Sequence, residues 1–179
     1  MKARLDYAAV APEVRTIMLD FWKKVEGLGL EHSLLHLVFL RASQINGCGF
    51  CVDMHSKDMR AMGESEERVY MTSAWRESGL YSPRERAALA WTEAVTILAN
   101  GDVPDAVFEQ ARAQFSESDL AKLTLAIVEI NCWNRLNVAF RTPAGSYKPR
   151  VAVKAGWFSS PPAREKVAPA KQGATPSPG

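Results

Sequence analysis

Seven stretches between Pro12 and Phe140 repeat apolar side chains at intervals of three and four residues, and no segment before residue 142 alternates convincingly at an interval of two. Each stretch must hide one stripe of its surface, and such stripes are satisfied by packing helix on helix. The chain is therefore expected to be all-α: a single-domain helical bundle of about seven helices joined by short turns. Start and stop signals fall where this reading needs them. Pro12 suits a first helical position and Gly27-Leu28-Gly29 a stop, after a lead-in over residues 1–11 that reads as irregular. Glu31 to Ser43 is dense in Leu and Val and reads as a largely buried helix. A cysteine-bearing helix follows, ending near Gly63, and Ser65-Glu66-Glu67 opens the next. Ser82-Pro83-Arg84-Glu85 has capping-box spacing with Pro at the first helical position. A shorter helix is expected from Pro104, and the longest from Ser116 to about Phe140.

At 179 residues, 47% hydrophobic and 23% charged, the chain is long enough to bury one core without covalent staples. No apolar run approaches the roughly 20 residues of a membrane span. Met1 to Asp6 lacks the apolar stretch of a secretion signal, so the expected location is cytoplasmic, with no membrane partner. The net charge of +2 conceals an asymmetry: from Lys148 onward six basic residues face one acid, which leaves 16 basic against 19 acidic groups before it. A nucleic-acid reader would carry its basic stripe on the folded body, so no nucleic-acid partner is expected. Seven of the ten prolines lie at or after Pro143. The division expected is a helical domain over residues 1–147 and a basic, Pro-rich arm and disordered tail over 148–179. Tyr147, Trp157 and Phe158 are candidate docking residues for the arm.

The chemistry gathers in Asn46-Gly47-Cys48-Gly49-Phe50-Cys51-Val52-Asp53-Met54-His55, which holds two of the three cysteines and one of the three histidines. Asn46-Gly47 signals a turn, which puts Cys48 in a first helical turn, and on that helix Cys48, Cys51 and His55 share a face. Disulfide chemistry needs a thiolate, a second sulfur within reach and a proton acceptor, and this spacing offers all three. Two other readings stand beside it: small core cysteines with a satisfied histidine, or a zinc site, which would have three ligands and no second close Cys/His pair. No metal or cofactor is expected. Cys132 reads as core packing, with a resolving or ligand role as the lesser option. Asn131, Asn134 and Asn137 form a polar edge that would face an interface or solvent, with an interface favoured. His36 on the buried second helix and Glu93 in an apolar stretch are candidate proton carriers, although a purely structural role suits both.

The segment Leu37 to His55, with Glu85 to Ala94 and Asn131 to Arg141, resembles the alkylhydroperoxidase D-like proteins of the carboxymuconolactone decarboxylase family; the similarity runs from about residue 14 to 147. The resemblance implies an all-helical fold, homo-oligomers built as trimers or hexamers, and thiol-dependent reduction of organic hydroperoxides by an external dithiol, thioredoxin-like or lipoyl-bearing. It implies catalytic roles for Cys48, Cys51 and His55, and argues against lactone decarboxylation, whose branch lacks the paired cysteines. The family's Glu falls where this chain has His36, which leaves His36 or Glu93 to replace it. Position at the helix start favours Cys48 as attacking sulfur; closeness to His55 and the family pattern favour Cys51, and Cys51 is expected to attack. A redox sensor or partner-binding module with a reversible disulfide and little turnover is the alternative.

Overall fold

Helix α3 (His32–Ile45) is the axis around which the other helices arrange. The computed structural model describes residues 2–149 and is all-helical there, with no strand among the described residues. Nine α3 side chains are buried, from Leu34 to Ser43, so it meets partners on every side: α4 (Gly49–Ala61), α6 (Pro83–Ile97) and α8 (Glu117–Phe140). The remaining helices are α1 (Tyr7–Val10), α2 (Pro12–Glu26), α5 (Glu66–Met71) and α7 (Asp105–Arg112), with short 3-10 turns at Thr72–Glu77 and Ala99–Gly101. The seven helices expected from the sequence are α2 to α8. The addition is α1 in the lead-in, capped by the Asp6 carboxylate, which accepts from the amide of Ala9. Four residues show no period, which is why the sequence pattern did not reveal it.

Two apolar clusters flank α3. One joins Val25, Leu35, Val38, Ala88, Leu123 and Ile127 from α2, α3, α6 and α8; the other joins Leu37, Leu40, Met59, Trp75 and Leu89 on the opposite side. Each fully buried leucine or isoleucine stabilises by roughly 1.5–3 kcal/mol relative to exposure. Helix α6 begins with the complete capping box: the Ser82 hydroxyl accepts from the Glu85 amide, and the Glu85 carboxylate accepts from the Ser82 amide. Arg141, at φ 54°, ends α8 in the left-handed region.

Both ends of the described chain fold back across one side. The Arg4 amide donates to the Phe140 carbonyl at 2.9 Å, which ties the lead-in to the end of α8. Beyond α8, the Gly145 amide donates to Asp53 and the Lys57 ammonium to the Tyr147 carbonyl, fixing the start of the arm on α4. Tyr147 thus docks as expected, whereas Trp157, Phe158 and the basic tail from Arg150 onward lie outside the described residues.

Candidate active site

The turn between α3 and α4 positions the cysteines. Gly47 adopts φ 65°, a conformation that costs glycine little, and the Cys48 amide then returns to the Ser43 carbonyl at 3.0 Å. This reversal makes Cys48 the N-cap of α4 rather than a first-turn residue, with Cys51 one turn on. The two are joined by a disulfide, with Cα atoms 5.4 Å apart. The Cys51 amide points at the Cys48 sulfur at 3.3 Å, so the helix N-terminus serves Cys48 directly.

Three asparagines of α8 hold the turn in place. Asn46 donates to the side-chain oxygens of Asn131 and Asn134, both at 2.9 Å, and Asn134 donates to the Ser43 hydroxyl at 3.0 Å. Asn137 donates to the Cys51 sulfur at 3.4 Å and accepts from the Tyr7 hydroxyl. The asparagines therefore do not form the interface edge favoured from the sequence: all three are buried, and each hydrogen-bonds within the chain. Their i, i+3 spacing was legible in sequence; that it faces the cysteine turn follows from α8 crossing α3 and α4.

Cys51 and His55 line a cavity of about 700 Å³, walled by α2, α4, α8, the lead-in and the start of the arm. Its lining is mainly apolar, including Leu5, Leu19, Trp22, Phe50, Met54 and Trp133, while Asp58, Glu129 and Asn137 bring polar groups to it. Cys48 is not among the lining residues. The His55 ring packs on Phe39 and His36, with centroids 5.3 and 5.6 Å away, and neither ring nitrogen has a hydrogen-bond partner among the described residues. His55 therefore stands near the dithiol without bonding either sulfur. Burial, then the neighbouring His36, pushes its pKa well below the usual histidine value; burial, then His32, brings His36 down to about 4. Both imidazoles are neutral at pH 7.

Facing them are three buried carboxyl groups. Burial raises Glu129 to about 8, against a hydrogen bond from Trp133 and with Glu26 adding to the rise. Burial and then Asp58 raise Glu26 to about 7, and burial raises Asp58 to about 6 against the Tyr147 hydrogen bond. None of these three stood out in sequence, because a lone acid in a helix reads as surface until its face is known. His36, His55 and Asp58 bring one potential metal-ligand atom each to within 4.8 Å of one another.

Glu93 is placed elsewhere. Its carboxylate accepts from Arg41 at 2.8 Å, from the Trp75 indole at 2.8 Å and from Arg76. Burial raises its pKa, but the hydrogen bonds from Trp75, Arg76 and Arg41 outweigh that and hold it below the usual range. It does not line the cavity, so the geometry associates His36, and not Glu93, with His55. Cys132 is a free thiol on α8, half-buried.

An all-helical bundle with a Cys-x-x-Cys disulfide at the start of the helix that follows the buried α3, and a histidine one turn beyond, is the arrangement of the alkylhydroperoxidase D-like class. Residues 12–94 match the carboxymuconolactone decarboxylase family. The uncharacterized protein YdfG of Bacillus subtilis is 40% identical over 146 residues, covering 82% of this chain and 99% of the relative. A solved structure from Agrobacterium tumefaciens, of a protein of unknown function linked by name to AhpD antioxidant defence, is 46% identical with a TM-score of 0.79, over 82% of this chain and all of that one. A shorter match, 36% identical over 67 residues and 37% of each chain, is to the alkyl hydroperoxide reductase AhpD of Bradyrhizobium diazoefficiens. The chain belongs to the carboxymuconolactone decarboxylase family, as an alkylhydroperoxidase D-like member.

Proposed function

We propose that this protein is a thiol-dependent peroxidase that reduces organic hydroperoxides at Cys51. The carrying observation is that the Cys48–Cys51 pair sits at the wall of a largely apolar cavity to which Cys51, and not Cys48, contributes. In the reduced enzyme the neutral His55 imidazole accepts the Cys51 proton, and the Asn137 amide stabilises the thiolate left behind. The thiolate attacks one peroxide oxygen; the O–O bond breaks, the sulfur becomes a sulfenic acid, and the departing alkoxide takes up a proton as the alcohol. The Cys48 thiol then displaces hydroxide from that sulfur, releasing water and forming the disulfide. An external dithiol, thioredoxin-like or lipoyl-bearing, exchanges with the disulfide and leaves as its own disulfide.

The lining favours a substrate with an apolar body over hydrogen peroxide. His36, at the family's Glu position, sets the orientation of the His55 ring. The working unit is a homo-oligomer, a trimer or hexamer, in the cytoplasm; exposed Val10, Ile17, Leu125 and Val128 are apolar surface consistent with assembly. One observation favours a second reading, a redox switch with little turnover: His55 bonds neither sulfur and is a weak base.

Cumene hydroperoxide consumption with a dithiol donor tests the proposal. Wild-type protein turns over, while Cys51→Ser and Cys48→Ser variants do not. Undiminished turnover by Cys51→Ser overturns it, and a reversible disulfide without turnover in the wild type selects the switch.

A further inference from the structure

One buried place at the edge of the cavity brings three potential metal ligands together. His36 comes from α3, and His55 and Asp58 from one face of α4 at a spacing of three. All three are buried, at 2%, 3% and 3% exposure, and their ligand atoms lie within 4.8 Å of one another. Both nitrogens of His55 lack a hydrogen-bond partner among the described residues, as do Oε2 of Glu26 and Oε1 of Glu129. A buried polar group left in that state costs on the order of 1–3 kcal/mol, and an ion is one of its ordinary explanations. Asp58, by contrast, is held: the Tyr147 hydroxyl donates to its Oδ1 at 2.7 Å, as residues behind a metal-binding carboxylate do.

We propose that His36, His55 and Asp58 form a site for one divalent transition-metal ion of the Zn²⁺ or Fe²⁺ class. Two imidazoles and one carboxylate favour such an ion over Mg²⁺ or Ca²⁺, which prefer oxygen ligands throughout. Bonds of about 2.0–2.1 Å place donor atoms roughly 3.3 Å apart in a tetrahedron, so closure on the ion asks for side-chain adjustments of about 1.5 Å or less. The cavity that His55 and Asp58 line gives the ion a path and room for a water or small ligand on its open side. Glu129 lines the same cavity and Glu26 feels the charge of Asp58; a bound cation favours the ionised form of both, and their carboxylates then offset its charge. The cysteines are no part of this ligand set, so the site does not rest on the peroxidase reading. Under that reading, occupancy takes the His55 lone pair and makes the metal an inhibitor.

The test titrates the disulfide form, in which Cys48 and Cys51 cannot compete, with Zn²⁺ against a chromophoric chelator. One equivalent per chain is expected. Asp58→Asn and His36→Gln each weaken binding by about 100-fold, and Tyr147→Phe, a mild change at a half-buried position, weakens it by about tenfold. A Cys48→Ser/Cys51→Ser double variant binds as the wild type does. Co²⁺ gives visible absorption that the His36→Gln variant loses. Binding well below one equivalent overturns the site, as does an affinity unchanged in Asp58→Asn and Tyr147→Phe, or binding lost with the cysteines. Peroxide turnover is measured separately, so loss of one conclusion leaves the other standing.

Discussion

Glu129→Gln tests the buried carboxyl cluster most directly. Glu129 is 1% exposed, and burial, opposed by Trp133 and reinforced by Glu26, raises its pKa from 4.5 to about 8. In the unfolded chain the same carboxyl gives up its proton near 4.5. Between these values the folded protein holds a proton that the unfolded chain has lost, so stability falls as pH rises through the window. Below it the group is neutral in both states and the ionisation cost is absent; above it that cost is complete. A shift from 4.5 to about 8, at about 1.36 kcal/mol per unit, amounts to about 5 kcal/mol, of which about 4 develops between pH 5 and 8. Glutamine keeps the shape without the titrating proton; Asp58, His36 and His55 titrate in both proteins, and loss of the Glu129 charge eases the ionisation of Glu26, which moves the gap in the same direction. Urea unfolding at pH 5, 6, 7 and 8 should therefore show the variant gaining on the wild type with each step, by about 4 kcal/mol in all. A gap that stays constant with pH would refute the reasoning.

Asn137→Leu removes the amide that donates to the Cys51 sulfur. A hydrogen bond to a charged acceptor contributes about 1.5–3 kcal/mol, so the Cys51 thiol pKa should rise by about 1–2 units, read from the pH dependence of alkylation in the reduced protein. Glu93→Gln weakens the pairing of Arg41 and Arg76 with α6 and should cost about 2 kcal/mol in thermal or urea unfolding, with peroxide turnover per folded chain unchanged. Ser82→Ala breaks the α6 capping box and should cost about 1 kcal/mol in the same measurement, with Ser82→Thr restoring most of it.

The fold class was legible because it is written locally. Apolar spacing from Pro12 to Phe140 and caps such as Ser82 with Glu85 depend on neighbours within a turn or two, and the seven main helices follow from them. The dithiol was legible for the same reason, since Cys48 and Cys51 are three residues apart. Other features depend on which faces meet, which one strand of sequence does not encode at short range. Only the crossing of α3, α4 and α8 decided that Asn131, Asn134 and Asn137 serve the cysteine turn. Glu93, one candidate for the missing carboxylate, was drawn to Arg41 and Arg76, whose charges repay its partial burial. Glu26, Asp58 and Glu129 come from helices far apart in sequence and looked like surface acids one at a time. Tertiary packing removed them from water beside His36 and His55, and burial then set their protonation. The sequence by itself determined a helical bundle with a dithiol at a helix start; the tertiary structure decided what that dithiol faces.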